Sequence, residues 1–568
     1  MELGDFYATK AISQIPRILS MLDRNEYSPT YGCFDRTFWL DKSIDFPSSI
    51  LQLNTHNLAM AYAYPYPDNP FYQKEKIRKW TLAGIDYWTQ IQHNDGSFDE
   101  FYPNERGWAG PTGFLLFSML STYDLLKEDM QKELKNRLFE ASRKAANFLA
   151  KYDELGVLAN HHAMALLPIY YAYKVLGDEK LLRAFNEKFS FFETLQSPEG
   201  WLLEYDGADL GYLSATVSFL GKLYKLSDDE NLKSKILSIV EKAIEFSSYF
   251  VYPNKYYAGT IGSRQTLHFY PHGYELFCND FPIARRIADV LLEGLAEGKL
   301  VSPEIMPERY LGYRVQEYLL TYLDYNPITI DETIRLPYER SPFIKHFEDA
   351  KMMAAKSDNY YLVANFAKGG VVKIFNARGD LIYNDCGIIG KLENGKIITS
   401  QWVDKDYTVQ FTENGGVIEG NMNYAPYQYP TPLKMMALRT ALLTLAWNTK
   451  LSYWLKGAIR DMFITNTKKA PVQFRREIII CGDKIEIGDK ISKNASDKLL
   501  SINIGDEFSV RYVPQSLYFQ QQELEVDGYQ LEKELIDRLN ASNWIELKRT
   551  ITPVHEKIEF YTIDEFEV

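Results

Sequence analysis

Four short segments of this 568-residue chain combine residue types that move protons or hold anions. In ANHHAMALLPIYYAY (159–173), Asn160, His161 and His162 open an apolar helical run, and Asn is a good helix cap. The plain account is a capped helix with a partly buried imidazole. The chemical account has amide and imidazole donors aimed together at an anion or a carbonyl. In EYDGADLGYLSAT (204–216), Gly207 and Gly211 flank a tight loop and Tyr212 starts the next helix. There the helix dipole and nearby cations favour a phenolate. A wall-packed Tyr is the ordinary alternative in a chain with 41 of them.

Two further segments carry histidines or acids. In GTIGSRQTLHFYPHGYELF (259–277), Arg264, His268 and His272 are spaced by four, which aligns them on one face of a helix. Pro271 and Gly273 favour an irregular loop instead. Histidines at this spacing can bind zinc, but no HExxH motif accompanies them and Cys278 is a lone thiol, so no metal is expected. DGSFDEFYPNER (95–106) offers Asp95, Asp99 and Glu100 as a carboxylate pair for an inverting glycosidase, against turn chemistry with solvated acids. No Walker loop, GxSxG elbow or dinucleotide fingerprint occurs in a convincing context, and no cofactor is expected.

These segments lie between helices. In 132–150, Leu134, Leu138, Ala141, Ala145 and Phe148 fall at helical spacing among Lys, Arg and Glu, and 232–246 repeats the pattern. Further helices are expected around 51–63, 76–92, 110–127, 160–176, 179–195, 211–226 and 280–297. An internal repeat joins two of the loops. QHNDGSFDEF (92–101) aligns with QSPEGWLLEY (196–205): Gln92 with Gln196, Gly96 with Gly200 and Glu100 with Glu204. The register continues through Gly107-Trp108 with Gly211-Tyr212. The offset fits two helical hairpins of about 50 residues each, so both loops should emerge at one end of a helical toroid and line a cleft.

Near residue 345 the pattern changes. YYLVANF (360–366), GVVKIFN (370–376), YTVQFT (407–412) and FRREIIICGDKIEIGDKI (474–491) are β-prone, with a hairpin turn expected at Gly482-Asp483. Prolines 327, 337 and 342 mark a linker within 325–347. The expected organisation is an N-terminal (α/α) toroid over 1–335 and a C-terminal antiparallel β-sandwich over 345–568. The four cysteines have no CxxC spacing, so neither a disulfide framework nor a zinc finger is expected. No signal-peptide pattern and no run of about 18 apolar residues is visible; a cytoplasmic location is the default expectation, or a secreted one if a leader has been removed.

Toroid, sandwich and the motifs NHHA (160–163), DGADLGY (206–212) and GSRQTLHFYPHGYE (262–275) together resemble the heparinase II/III-like polysaccharide lyases and related alginate lyases. That resemblance implies β-elimination at a uronic acid in an anionic glycan. Asn160 and His161 would neutralise the C5 carboxylate, and Tyr212, alone or with a His, would take the C5 proton and protonate O4. Arg264 and His268 would assist, with Arg264 lowering the Tyr212 pKa by proximity. His162, His272, Trp108, Arg106, Arg36 and Glu204 would contact substrate. A second catalytic Tyr of the kind some alginate lyases carry in the sandwich has only Tyr424, Tyr427 and Tyr429 as candidates. A uronate C5-epimerase, a glycoside hydrolase and a non-catalytic glycan-binding protein are the alternatives.

The net charge of -13 argues against a general nucleic-acid binder. It also disfavours long-range capture of a polyanion, though it does not limit what a local cleft binds. An anionic substrate therefore requires a positive cleft on an acidic body.

Overall fold

The computed structural model describes residues 3–562, apart from 107, 153–157, 329–332, 426–428, 461–466, 507–517 and 525–526. Gly107 and Tyr427 thus lie outside the described residues. The N-terminal part is an (α/α) toroid. Its inner helices are Asn54–Ala63, Ala109–Leu126, Ala159–Leu176, Leu210–Leu226, His272–Leu276 and Glu308–Asp324, and each packs on the next. The last returns to the first, so the ring closes. The outer helices include Glu75–Gln90, Lys132–Lys151, Glu179–Glu193, Glu230–Ser248 and Pro282–Ala296.

Composition sorts the two layers. Lys132–Lys151 puts Leu138, Ala141, Ala145 and Leu149 on one buried stripe and its charges outside. Ala109–Leu126 is apolar around most of its circumference, as a helix enclosed on all sides must be. Because inner and outer helices alternate along the chain, the loop entering each inner helix lies at the same end of the toroid. The inner N-termini, with their unpaired N–H groups and positive dipole ends, therefore gather there.

The 104-residue repeat is a loop motif in three dimensions. His93 N donates to Ser97 O and Gly96 N to His93 O; Ser197 N donates to Trp201 O and Gly200 N to Ser197 O. Gln92 Nε2 reaches Gly96 O and Ala141 O, and Gln196 Nε2 reaches Gly200 O and Ile239 O. The same two-bond loop recurs at Asp23–Cys33, where Gln52 takes the glutamine's part, and at Tyr252–Tyr256. Gly96 and Gly200 have φ of 95° and 106° and press on backbone oxygens of the next outer helix.

The C-terminal part is an antiparallel β-sandwich. A five-stranded meander, Phe343–Phe347, Met352–Lys356, Tyr360–Asn365, Val371–Asn376 and Leu381–Asp385, faces a ten-stranded sheet. The meander is covered on both sides. Met352, Ala354, Tyr361 and Val363 join the toroid core, while Met353, Ala355, Leu362 and Ala364 join the core between the sheets. Double burial explains why these strands read as unbroken apolar runs rather than alternation. The hairpin Lys469–Cys481/Lys484–Lys493 turns at Gly482-Asp483. Behind it, Arg476 and Arg549 share Asp385 and Asp489 in a four-charge cluster closed to solvent, with Arg476 bidentate on Asp489 at 2.7 and 2.9 Å. Helices Pro432–Thr444, Thr449–Arg460 and Lys533–Ser542 also belong to this half, where the sequence reading had only strands.

Candidate active site

Asn160 begins the inner helix Ala159–Leu176, and both its backbone N and its Nδ2 donate to Glu204, at 2.6 and 2.8 Å. Glu204 is 1% exposed, and burial pushes its carboxyl up to about 8 against the opposing pull of the two Asn160 donors. It therefore favours the neutral acid at neutral pH. Asp209 caps the inner helix Leu210–Leu226 by accepting from Tyr212 N at 3.2 Å, and its other oxygen accepts from Arg264 N at 2.9 Å. The Arg264 guanidinium lies 4.2 Å over the Tyr205 ring and pairs with Asp206 at 2.7 Å. Tyr205 is held at φ 59° and Gln265 at φ 57°, left-handed conformations costing on the order of 1–3 kcal/mol each. The sandwich secures this loop: Asn365 Nδ2 donates to Ile261 O, and Lys368 Nζ to Thr260 O and Gly262 O.

The first repeat loop forms the neighbouring wall. Trp108 immediately precedes the inner helix Ala109–Leu126, and Gly110 leaves room for its indole, with the His161 ring close by. Lys456, from the sandwich helix Thr449–Arg460, stands 3.2 Å over the Trp108 ring. Glu105 is buried, accepts from the backbone N–H groups of Glu100, Phe101 and Tyr102, and is pushed up to about 8, burial being the main cause. Arg106 stacks on Trp447. The floor on the toroid axis is aromatic, with Phe114, Phe219, Tyr270 and Tyr313 around a void of about 20 Å³, room for about one water.

The mouth gathers both signs of charge. Arg264, Arg106, Lys456 and Arg309 stand by the inner-helix N-termini, with Arg264 paired to Asp206 and Arg309 4.0 Å from the Glu100 carboxylate, while Glu204, Glu105 and Asp209 are shifted toward their neutral forms. A groove of about 1000 Å³ runs elsewhere, between the toroid and residues 333–341, where Glu199, Glu241, Glu245 and Asp280 alternate with Lys242, Arg335 and Arg340, away from the Asn160 network.

Of the residues the sequence singled out, Asn160, Glu204, Tyr212 and Arg264 come together in one network, with His161, Trp108 and Arg106 along the same rim. His268 is wholly buried between Tyr270 and Tyr518. Three lie apart. His162 turns outward onto Phe191 of the outer helix Glu179–Glu193, because consecutive helical residues cannot share a face. His272 is buried against Asp324, 2.6 Å away, and its backbone N binds Glu317, so it braces the ring and does not reach the mouth. Arg36 faces solvent beside Asp41. The expected lowering of the Tyr212 pKa is also corrected: burial, then Tyr205, Asp209 and Glu204, hold it well above the usual phenol value, since Arg264 is spent on Tyr205 and Asp206.

The acids proposed for hydrolysis are tied into loop geometry. Asp99 accepts from Glu105 N and Asn104 N and contacts His93, and Asp95 accepts from Ser97 and Thr449. Sequence reasoning missed Tyr205, Tyr270, Arg309 and Lys456. Tyr205 had a local signal, its place in the repeat opposite Phe101, and Tyr270 lies between His268 and His272 in a segment already singled out; Arg309 and Lys456 had none, being brought in from distant segments. Among the described residues no group of three His, Cys, Asp or Glu side chains is placed to hold a metal ion.

No family model and no curated protein matches this chain. Solved structures with likeness to it include a Streptomyces coelicolor chondroitin AC lyase variant (8% identity, TM-score 0.49) and a chondroitinase AC lyase (13%, TM-score 0.45), each over 88% of this chain and 68% of the other. A heparan sulfate lyase from Pedobacter heparinus matches at 10% identity and TM-score 0.39, over 80% of this chain and 63% of the other. What the site can do follows from its own residues.

Proposed function

We propose that the cleft cleaves a uronate-containing glycan by β-elimination. One observation carries the reading: Asn160 is clamped by a buried Glu204 that favours its neutral form, beside the half-buried Tyr212 phenol, where inner-helix N-termini converge. A neutral Glu204 lets the Asn160 amide meet a carboxylate without repulsion from that acid. The second amide hydrogen of Asn160 and the helix N-termini offset charge that builds on the uronate carboxylate as C5 loses its proton. Tyr212, kept as a neutral phenol, is the acid. It protonates O4 as the C4–O4 bond breaks and the C4–C5 double bond forms. The C5 proton passes to an imidazole, that of His161 on the same rim. Arg264 and His268 act as positioning residues, Arg264 through Tyr205 and His268 from beneath the floor.

The test is a panel of uronate glycans (alginate, heparan, chondroitin, hyaluronan and bacterial exopolysaccharides) followed by the ultraviolet absorbance of the new double bond. Wild type should generate absorbance on at least one, and Tyr212→Phe should lose it without loss of fold. Exchange of solvent deuterium into C5 without absorbance would replace elimination by epimerisation. Silence on every substrate in both assays would remove the enzyme reading.

A further inference from the structure

The helical pair Pro432–Thr444 and Thr449–Arg460 is mounted on the rim of the cleft but largely uncovered. Ser452 Oγ donates to Arg106 O, Thr449 Oγ1 to Asp95 and Asn104 Nδ2 to Leu442 O, so the pair is fastened to the toroid along one edge. Of Pro432–Thr444 only Leu442 is buried. Leu433, Met436, Trp447 and Trp454 are 78%, 66%, 62% and 65% exposed. Apolar side chains on most sides of a helix are stable only with a further apolar cover.

Charge identifies the cover. Residues 432–460 carry Lys434, Arg439, Lys450, Lys456 and Arg460 and no Asp or Glu, in a chain of net charge -13. Arg439 turns back to Asp45 and Lys456 to Trp108, whereas Lys434 and Lys450 face outward with the apolar set. A second copy of this chain would set like charges against each other across a two-fold interface. A free polyanion would satisfy the lysines and leave Leu433 and Met436 in water. An anionic bilayer surface meets both demands, with head groups at the lysines and Leu, Met and Trp at the acyl boundary. At 13 and 12 residues the helices are too short to span and would lie in the interface.

We infer that residues 432–460 form a basic, apolar seat by which the protein docks on an anionic lipid surface, with its cleft mouth beside the membrane. This seat is independent of whether the cleft turns over a glycan.

The experiment is co-sedimentation of the full chain with phosphatidylglycerol/phosphatidylcholine vesicles and with phosphatidylcholine vesicles, alongside tryptophan emission. Wild type should sediment with the anionic vesicles at low salt, release as salt rises and shift its emission to the blue. Lys434→Gln with Lys450→Gln should weaken binding roughly 30-fold. Leu433→Ser, Met436→Ser and Trp454→Ser together should abolish it with an unchanged circular-dichroism spectrum, while Tyr212→Phe binds as wild type. Failure of wild type to bind anionic vesicles at low salt, or wild-type binding by the triple variant, overturns the inference. So does a vesicle-free dimer that the triple variant dissociates, which would give the face to a second copy.

Discussion

Replacing Glu204 by Gln keeps the side chain's shape and removes its titration. In the folded protein this carboxyl is pushed to about 8, against 4.5 for the free group. Between those values the unfolded chain has released a proton that the folded chain keeps, so wild-type stability falls as pH rises and levels off above about 8. The full effect is roughly 3.5 pH units at about 1.4 kcal/mol each, on the order of 5 kcal/mol. Gln escapes that loss but carries its own cost. A protonated carboxyl can accept from both Asn160 donors, whereas the amide has only one acceptor atom and sets N–H against N–H, about 1–3 kcal/mol. Glu204→Gln should therefore be the less stable protein near pH 5 and the more stable one near pH 9. Urea-unfolding midpoints of the two proteins across that range, at constant ionic strength, read the difference with the other acids cancelling. Infrared difference spectra at pH 7 should show a protonated carboxyl band in wild type that the variant lacks. A stability difference that is constant with pH, together with a carboxylate band at pH 7, would refute the reasoning and with it the uncharged pocket on which substrate binding depends.

Two further perturbations test the scaffold. Gly200→Ala places a Cβ about 2.1 Å from Lys242 O at a φ of 106° and should cost about 2–4 kcal/mol in unfolding free energy; Gly298→Ala, at φ 75° with open space around it, should cost distinctly less. Asp489→Ala leaves Arg476 and Arg549 facing Asp385 alone inside the sandwich and should lower stability by about 3–5 kcal/mol in the same assay.

Much of the architecture was legible because local pattern and environment agree here. The amphipathic stripe of Lys132–Lys151, the unbroken apolar run at Tyr360–Asn365 and the Gly482-Asp483 turn each report their own surroundings. Helix Pro432–Thr444 was missed because its apolar residues are spread around its circumference and only Leu442 is buried, whereas Thr449–Arg460 does carry a one-sided apolar stripe but sits among the β-prone runs that set the expectation for this half.

The candidate site divides along the same line. Residue identity and short spacing, read in the sequence alone, set Asn160 and His161 at one helix start, Tyr212 at the opening of the next, and Gln92/Gly96 against Gln196/Gly200 as two copies of one loop. Each depends on neighbours within a few residues. Ring closure by Glu308–Asp324 on Asn54–Ala63, the arrival of Lys456 over Trp108 and the grip of Asn365 and Lys368 on the Arg264 loop join residues 100 to 350 positions apart. Burial and charge were settled by those long-range contacts too. They shift Glu204 toward its neutral form, hold Tyr212 above the usual phenol value, seal His272 against Asp324 and leave Arg36 in water. Protonation depends on who surrounds a group in space, and that is fixed only when the chain has closed on itself.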